Sequence, residues 1–415
     1  MNHVETLATV LFALAVIHTF MASRFEHLAH HSKAHGGLWH LLGEIEAVFG
    51  IWACVLIVFM LPLLGGGQTL SYLQGLNFTE PMFVFAVMVI AATKPILQLA
   101  TLGVRGLAGV LPLQRSLAIV VVAISVVPLM GSLITEPAAM TLAALILRDA
   151  LYSQGASTRL KYATLGVLFV NVSIGGTLTS YAAPPVLMVA GTWGWDSAFM
   201  LHTFGWKAAL AVLVNTALLT LFFRRELLGL KVVTQEIRRV PYAVMLIHVF
   251  FLAGVVVCGH YPVAFIPLLL LFLGFADAYK QFQDRLLLRE GLMVALFLAG
   301  LVILGGLQRW WLQPLLADMD ERLLFFGAVG LTAITDNAAL TYLGSLVEGV
   351  SEGFKYALVA GAVAGGGLTV IANAPNPAGF ALLKNYFDDD AISPLGLLLA
   401  ALVPTCVAVS AFLLL

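Results

Sequence analysis

The chain has 415 residues, of which 61% are hydrophobic and only 10% are charged, and its formal net charge is −1 at pH 7. Soluble domains carry roughly 25% charged residues, so this composition excludes an ordinary soluble protein. It indicates an all-α polytopic membrane protein, and the near-neutral charge gives no reason to expect a nucleic-acid partner. Three cysteines, Cys54, Cys258 and Cys406, lie far apart in apolar segments and are predicted to be free interior thiols.

Apolar runs of about 20 residues, long enough to cross a bilayer as a helix, recur along the chain. They predict spans at residues 5–23, 47–64, 81–101, 199–222, 241–257, 262–279, 290–306 and 393–414. Four further apolar stretches are interrupted near their centres by polar residues, glycine or proline. These stretches are 116–150, 160–192, 321–349 and 355–385.

The four interrupted stretches match one another in pairs. Residues 135–141 (TEPAAMT) and 335–341 (TDNAALT) share the pattern T-acid-x-A-A-x-T at an offset of 200. Residues 175–179 (GGTLT) and 365–369 (GGGLT) match at an offset of 190. Two motifs in the same order and at nearly the same spacing indicate an internal duplication.

The duplication divides the chain into two repeats. The first, 1–222, contains three scaffold spans, a hairpin (116–150), a broken helix (160–192) and a last span (199–222). A polar cytoplasmic linker, 223–240, leads to the second repeat, 241–415, with three spans, a hairpin (321–349), a broken helix (355–385) and a last span (393–414). If each hairpin is re-entrant, each half crosses the membrane five times and the halves are inverted. The prediction is thus inverted five-span repeats, with about 10 spans and two re-entrant hairpins.

Lysine and arginine accumulate on the cytoplasmic side of membrane proteins. Placing residues 24–45 in the cytoplasm puts most of these residues on that side, including Arg105, Arg115, Arg148, Arg159, Arg224, Arg225, Lys280, Arg285 and Arg289. This bias predicts that the first hairpin opens to the cytoplasm, that the second opens to the outside, and that both termini are outside.

Irregular backbone inside a membrane is tolerated where protein or a wet cavity satisfies its polar groups, and matched breaks in two inverted halves mark transporter sites. Glu136 and Asp336 are each expected at a hairpin tip, where a carboxylate caps free N–H groups. Their remaining oxygens suit a proton or Na+. Neutral oxygens near the tips are supplied by Thr135, Thr141, Thr335, Asn337 and Thr341. Those at the breaks are supplied by Thr177, Thr179, Ser180, Thr369, Asn373 and Asn376.

A plainer interpretation of the tips also exists. A Thr-acid pair before an apolar run is an ordinary helix start, and Pro137 fits the preference for proline in a first turn. The recurrence of the pair inside two apolar runs favours the ion site, because an acid at membrane depth costs roughly 2.5–3.5 kcal/mol by insertion scales.

Two other groups are candidates for gating or pH sensing. His27, His31 and His35 fall at helical spacing on one face, which suits metal binding or a pH response, although a cytoplasmic polar loop explains them as well. Lys94 lies within a predicted span, where it either pairs with a tip acid or extends to the cytoplasmic face.

The pattern resembles the ion transporter superfamily, and length and motifs are most similar to a bacterial family of sodium/proton antiporters. The similarity is carried by residues 135–137, 175–179, 335–337 and 373–377. It implies an elevator mechanism, a homodimer in the bacterial inner membrane and contact with lipid. Dicarboxylate carriers of this superfamily have Ser-Asn-Thr at both tips, whereas this chain has acids, which favours cation/proton exchange.

The expected function is secondary active Na+ (or Li+)/H+ antiport, in which Na+ and H+ compete for Glu136 and Asp336. The transported ions are the only non-protein groups expected. A cation-coupled carrier of a carboxylate or oxyanion is the alternative within the same fold, and a channel or a histidine-based metal or pH sensor are others. An enzyme is not expected, because the chain has no phosphate loop, zinc-peptidase motif or nucleophile elbow.

Overall fold

The computed structural model describes residues 3–31, 35–230 and 239–415, apart from the side chains at positions 23, 26, 30 and 31. Throughout these ranges the regular structure is helical. Five helices are long and apolar enough to cross a bilayer: His3–Ala22, Ile45–Leu64, Ser197–Phe222, Leu288–Gly305 and Pro394–Leu414. Two bent helix pairs and two shorter apolar helices accompany them. The chain is therefore a multi-pass membrane protein.

The first half, up to the linker, contains the following helices. They are α1 (His3–His31), α2 (Gly36–Gly43), α3 (Ile45–Leu64), α4 (Gly66–Gln74), α5 (Thr79–Ala91), α6 (Lys94–Val110), α7 (Arg115–Ile124), α8 (Val126–Ile134), α9 (Glu136–Ala150), α10 (Thr158–Gly175), α11 (Pro184–Trp193), α12 (Ser197–Met200), α13 (Trp206–Phe222) and α14 (Arg224–Leu228). A π-turn at Leu201–Gly205 makes α12 and α13 continuous.

The helices of the second half follow the linker. They are α15 (Tyr242–Val257), α16 (Pro262–Ala278), α17 (Leu288–Gly305), α18 (Arg309–Leu316), α19 (Glu321–Thr332), α20 (Asn337–Ser345), α21 (Glu352–Gly365), α22 (Asn376–Leu383) and α23 (Pro394–Leu414). Each half thus has a hairpin, then a broken helix, then a long last helix. That the halves insert in opposite directions stays a prediction.

The predicted span 81–101 is not one continuous helix, because the helix is interrupted within it. Helix α5 ends at Ala91, and Thr93 is extended before α6 begins at Lys94. Pro95 favours this new start, since a first turn has no need of its missing N–H. Helix α6 then buries Ile96, Ala100, Val104 and Ala108 at every fourth position, so it presents one apolar face.

The scaffold helices, α1, α3, α5, α15, α16 and α17, pack mainly on one another. The closest approach is between α3 and α17, where a side chain on Gly300 would collide with the backbone of Phe49 and Gly50. Cys54 on α3 and Cys406 on α23 are exposed, and Cys258 is partly exposed. The predicted interior location is therefore wrong for Cys54 and Cys406, whose helices turn these positions outwards, whereas Cys258 packs partly against the core.

The hairpins and broken helices form a second group, the hairpin–break unit (α8–α11 and α19–α22). Each hairpin packs on the broken helix of the other half: α9 packs on α22 and α20 packs on α11. The two breaks meet where Ser173 Oγ donates a 2.8 Å hydrogen bond to Val363 O. Gly367 lies so close to the backbone of Val170 there that a side chain on Gly367 would collide with it. This packing gathers the two hairpins and the two broken helices into one group.

Candidate functional site

Glu136 is the first residue of α9 and is fully buried. The residue before it, Thr135, has φ 74° and ψ 152°, a region that is almost restricted to glycine. This turn lets α9 start immediately after α8 ends. The prediction that Glu136 caps α9 is wrong, because its carboxylate points away from the helix start towards the break after α21.

A hydrogen bond joins this carboxylate to the other half of the chain. Asn373 Nδ2 donates to Glu136 Oε2 over 2.8 Å, and Asn373 is itself 1% exposed. Within the described part of the chain, Glu136 Oε1 and Asn373 Oδ1 have no hydrogen-bond partner. Gly176 provides the space for Oε1, since a Cβ there would lie 2.9 Å from the carboxyl carbon. Two buried oxygens are thus available to a cation at this contact.

Two more asparagines lie close to the contact between Glu136 and Asn373. Asn337 is fully buried, and neither Oδ1 nor Nδ2 of its side chain has a partner among the residues described. Its backbone N–H donates to Ala372 O over 3.1 Å, next to Asn373. Asn376 Nδ2 donates to Gly366 O and Thr369 O, which leaves its Oδ1 unbonded in the described chain. We call Glu136, Asn337, Asn373 and Asn376 the acid–amide cluster.

Asp336 has a different role from Glu136. It caps α20, accepting hydrogen bonds on Oδ1 from Ala338 N (2.8 Å) and Ala339 N (3.2 Å), so the capping prediction is confirmed for this acid. Asp336 also lines a cavity of 460 Å³ together with mostly apolar side chains of α1, α3, α17 and α18–α21. The two carboxylates are near enough to interact electrostatically, but only Glu136 is enclosed.

The helix starts shift the correspondence between the halves by one residue. In the sequence match Glu136 corresponds to Asp336. In the structure, α9 starts at Glu136 and α20 starts at Asn337. Side chains on Gly176 and Gly366 would contact Glu136 and Asn337 respectively. Glu136 and Asn337 therefore occupy equivalent places, one acidic and one neutral.

Most of the predicted hydroxyl ligands bond to backbone carbonyls instead. Thr179 Oγ1 donates to Ser132 O (2.7 Å) and Thr369 Oγ1 to Ala333 O (2.8 Å), so each of these threonines ties a break to its own hairpin. Four others bond to carbonyls of their own helix or turn: Thr141, Thr177, Thr335 and Thr341. Ser180 Oγ lies 3.3 Å from Ser197 Oγ. Thr135 Oγ1, which is buried, has no partner in the described ranges.

The gating and sensing candidates lie elsewhere. Lys94 forms an ion pair of 3.1 Å with the exposed Asp284 and lines a cavity that includes neither tip acid. Helix α1 ends at His31, and His35 precedes α2, so the predicted common face of His27, His31 and His35 is wrong. The side chain of His31 is outside the described residues. Among the residues that the structure describes, no three His, Cys, Asp or Glu side chains are placed to hold a metal ion together.

Two residues that border the site, Ser132 and Glu46, were given no role by the sequence analysis. Ser132 Oγ donates to Gly175 O (2.7 Å) and accepts from Leu178 N (2.9 Å), which holds the first break beside the first hairpin. Glu46 at the start of α3 lines a cavity with Thr135. An acid at the start of an apolar run was a usable signal for Glu46, whereas nothing local distinguishes Ser132 from other serines.

The family described as "Putative Na+/H+ antiporter" matches residues 3–415. No curated protein is similar enough to this chain to count as a relative.

Proposed function

The chain belongs to this Na+/H+ antiporter family, and we propose that it exchanges Na+ or Li+ for H+ at the acid–amide cluster. Oxygen ligands from carboxylates and amides suit hard cations. The observation that carries the proposal is the contact of Asn373 with Glu136, because it places one buried carboxylate among unbonded amide oxygens. A buried carboxylate is costly unless it is protonated or paired with a cation, so exchanging one for the other is the favourable cycle.

In this proposal Asn373 serves both states of the carboxylate. Its amide nitrogen donates to Glu136 in the present geometry. Rotation of the amide would present Oδ1 to a bound Na+ instead, with Asn337 and Asn376 supplying further oxygens. Asp336, which lines a cavity, would be the second carboxylate and would exchange its proton more readily than Glu136.

We further propose inverted repeats, re-entrant hairpins and an elevator movement of the hairpin–break unit against the scaffold helices, in a homodimer of a bacterial inner membrane. The exchange of hairpins between the halves supports movement as one unit. The 460 Å³ cavity beside Asp336 lies between that unit and helices α1 and α3 of the scaffold, where sliding would occur.

The alternative of a cation-coupled anion carrier has less support. Two carboxylates close to one another would repel an anionic substrate. The asparagine side chains can donate hydrogen bonds to an anion only through their nitrogens, because their oxygens are acceptors. The histidine-based sensor loses its main argument, because the three histidines do not share one helical face.

Everted membrane vesicles with a pH-sensitive dye test the proposal. A preset proton gradient should collapse on addition of NaCl or LiCl in the presence of the protein. Glu136→Gln keeps the shape of the side chain but cannot exchange a proton, so Na+-dependent proton flux should fall to the level of vesicles that lack the protein. Normal flux in correctly inserted Glu136→Gln protein would reject the site.

Competition adds a quantitative test. If Na+ and H+ compete for one carboxylate, the Na+ concentration for half-maximal exchange rises as the pH falls, while the maximal rate at saturating Na+ is unchanged. Below the titration range of the carboxylate, the rise approaches about tenfold per pH unit for one proton. A half-saturating concentration that does not depend on pH would contradict competition.

A further inference from the structure

A second cavity, of 250 Å³, opens beside the first hairpin tip. One wall is the hairpin–break unit, with Thr135 and Thr141 from the hairpin and Ala374 from the second break. The opposite wall belongs to the scaffold and includes Glu46, from the start of α3, and Arg289, from the start of α17. The cavity therefore separates the two groups of helices immediately next to the acid–amide cluster.

The charges in this cavity are unequal. Glu44, Glu46 and Glu290 face one arginine, Arg289. Arg289 forms an ion pair with Glu44, which also lies 3.7 Å from His40. Glu46 forms no ion pair within the described chain, so its carboxylate contributes negative potential that attracts cations into the cavity.

A buried oxygen without a hydrogen-bond partner also indicates that the cavity binds a ligand. Thr135 is 5% exposed and lines the cavity, and its Oγ1 has no partner in the described part of the chain. Thr135 precedes Glu136 directly. Glu46 is also near enough to Asp336 for their charges to interact. One scaffold carboxylate thus lines the cavity beside the first tip and lies within electrostatic range of the acid at the second tip.

Glu44 and Arg289 belong to segments that the distribution of lysine and arginine predicts to be cytoplasmic. We propose that this cavity is the cytoplasmic entrance of the transport path, and that Glu46 passes Na+ and H+ between the cytoplasm and the acid–amide cluster. The inference rests on the proposed exchange and adds its route. A proton that leaves Glu136 is taken up by the Glu46 carboxylate and then released to water, while Na+ moves in the opposite direction through the same negative potential. Arg289 is paired with Glu44, so the three glutamates of the cavity keep an excess of negative charge over its one arginine.

Thiol accessibility tests the route without requiring transport. In a variant whose three cysteines are replaced by serine, Ala374→Cys should react with a membrane-impermeant methanethiosulfonate added to the cytoplasmic face. Ala372→Cys, at a fully buried neighbouring position, should not react. Thr79→Cys, which lines a different cavity of 510 Å³, should react from the opposite face. Reaction of Ala374→Cys only from that opposite face, or from neither face, would overturn the entrance even if exchange is normal.

Sided kinetics test Glu46. In everted vesicles, which expose the cytoplasmic face, Glu46→Gln should raise the half-saturating Na+ concentration about tenfold, the effect of losing one good contact. In right-side-out vesicles the half-saturating Na+ concentration of Glu46→Gln should equal that of the unmodified protein. Glu46→Asp should recover part of the Na+ affinity that Glu46→Gln loses in everted vesicles. Glu290→Gln removes the same charge from the same cavity and should have a smaller effect that disappears at high ionic strength. Equal effects of the two glutamine variants, or equal effects at both faces, would reject the role of Glu46.

Discussion

Asn373 Nδ2 donates a 2.8 Å hydrogen bond to Glu136 Oε2, and this bond joins the break of the second half to the hairpin of the first. The buried carboxylate and its amide partner thus come from positions 237 residues apart. Neither half can form the acid–amide cluster alone. Movement of either hairpin relative to the opposite break would change the ligands of Glu136, which is how an ion site can be coupled to a conformational change.

Substitutions of Asp336 can distinguish the role of its charge in transport from its role as the cap of α20. Asparagine caps helices as well as aspartate does, whereas alanine costs about 1 kcal/mol. Asp336→Asn should therefore abolish or strongly reduce Na+-driven proton flux and leave the thermal unfolding temperature in detergent unchanged. Asp336→Ala should lose flux and unfold at a lower temperature. Full exchange activity in Asp336→Asn would show that the charge is dispensable.

Gly176 offers a test that changes no ion ligand. A Cβ at this position would lie 2.7 Å from Cγ and 2.9 Å from Cδ of Glu136, closer than packed atoms approach. Gly176→Ala should displace the carboxylate and reduce exchange at least about tenfold, a loss of about 1.4 kcal/mol.

The matched control for Gly176 is Gly274→Ala in α16. A Cβ on Gly274 would meet nothing within 4 Å, and alanine favours a helix by about 0.5–1 kcal/mol. Its exchange rate should equal that of the unmodified protein. Equal activity of both variants would mean that Glu136 has more freedom than its packing against Gly176 indicates.

Asn337 and Thr341 provide a contrast within one helix. Asn337→Ala removes an amide whose atoms have no partner in the described structure, so the half-saturating Na+ concentration should rise about tenfold with little change in the maximal rate. Thr341→Val removes a hydroxyl that bonds to the carbonyls of Asn337 and Ala338 at 3.2 Å, and the Na+ dependence should stay the same. The opposite ranking would move the ion site away from Asn337.

The four interrupted stretches and the two tip acids could be predicted because they depend on local chemistry. Glycine, proline and single acids inside apolar runs are visible in any window of the sequence, and the matches at 200 and 190 residues locate them. The hairpin and break positions agree with the helix ends at Ile134, Gly175, Thr332 and Gly365.

The partner of each acid could not be predicted, because it depends on tertiary packing and on the position, to within one residue, at which each helix starts. Glu136 and Asp336 align in sequence, but the turn at Thr135 starts α9 one position earlier than α20 starts in its own half. The pairing of Glu136 with Asn373 follows from the packing of α9 on α22. No local signal reports that packing, and the same holds for Glu46, which reaches the hairpins only through the position of α3.

Thr135 stores backbone strain at the first tip, and relieving it should separate stability from transport. A non-glycine residue at φ 74° and ψ 152° costs about 1–3 kcal/mol, and glycine loses about 0.5–1 kcal/mol in chain entropy. Thr135→Gly should therefore stabilise the fold by about 1 kcal/mol and raise its unfolding temperature in detergent. It also removes the buried hydroxyl beside Glu136, so the half-saturating Na+ concentration should increase. Thr135→Ser keeps the hydroxyl and the strain, and should resemble the unmodified protein in both measurements. A lower unfolding temperature for Thr135→Gly would show that contacts of the threonine methyl group stabilise the turn by more than its backbone angles destabilise it.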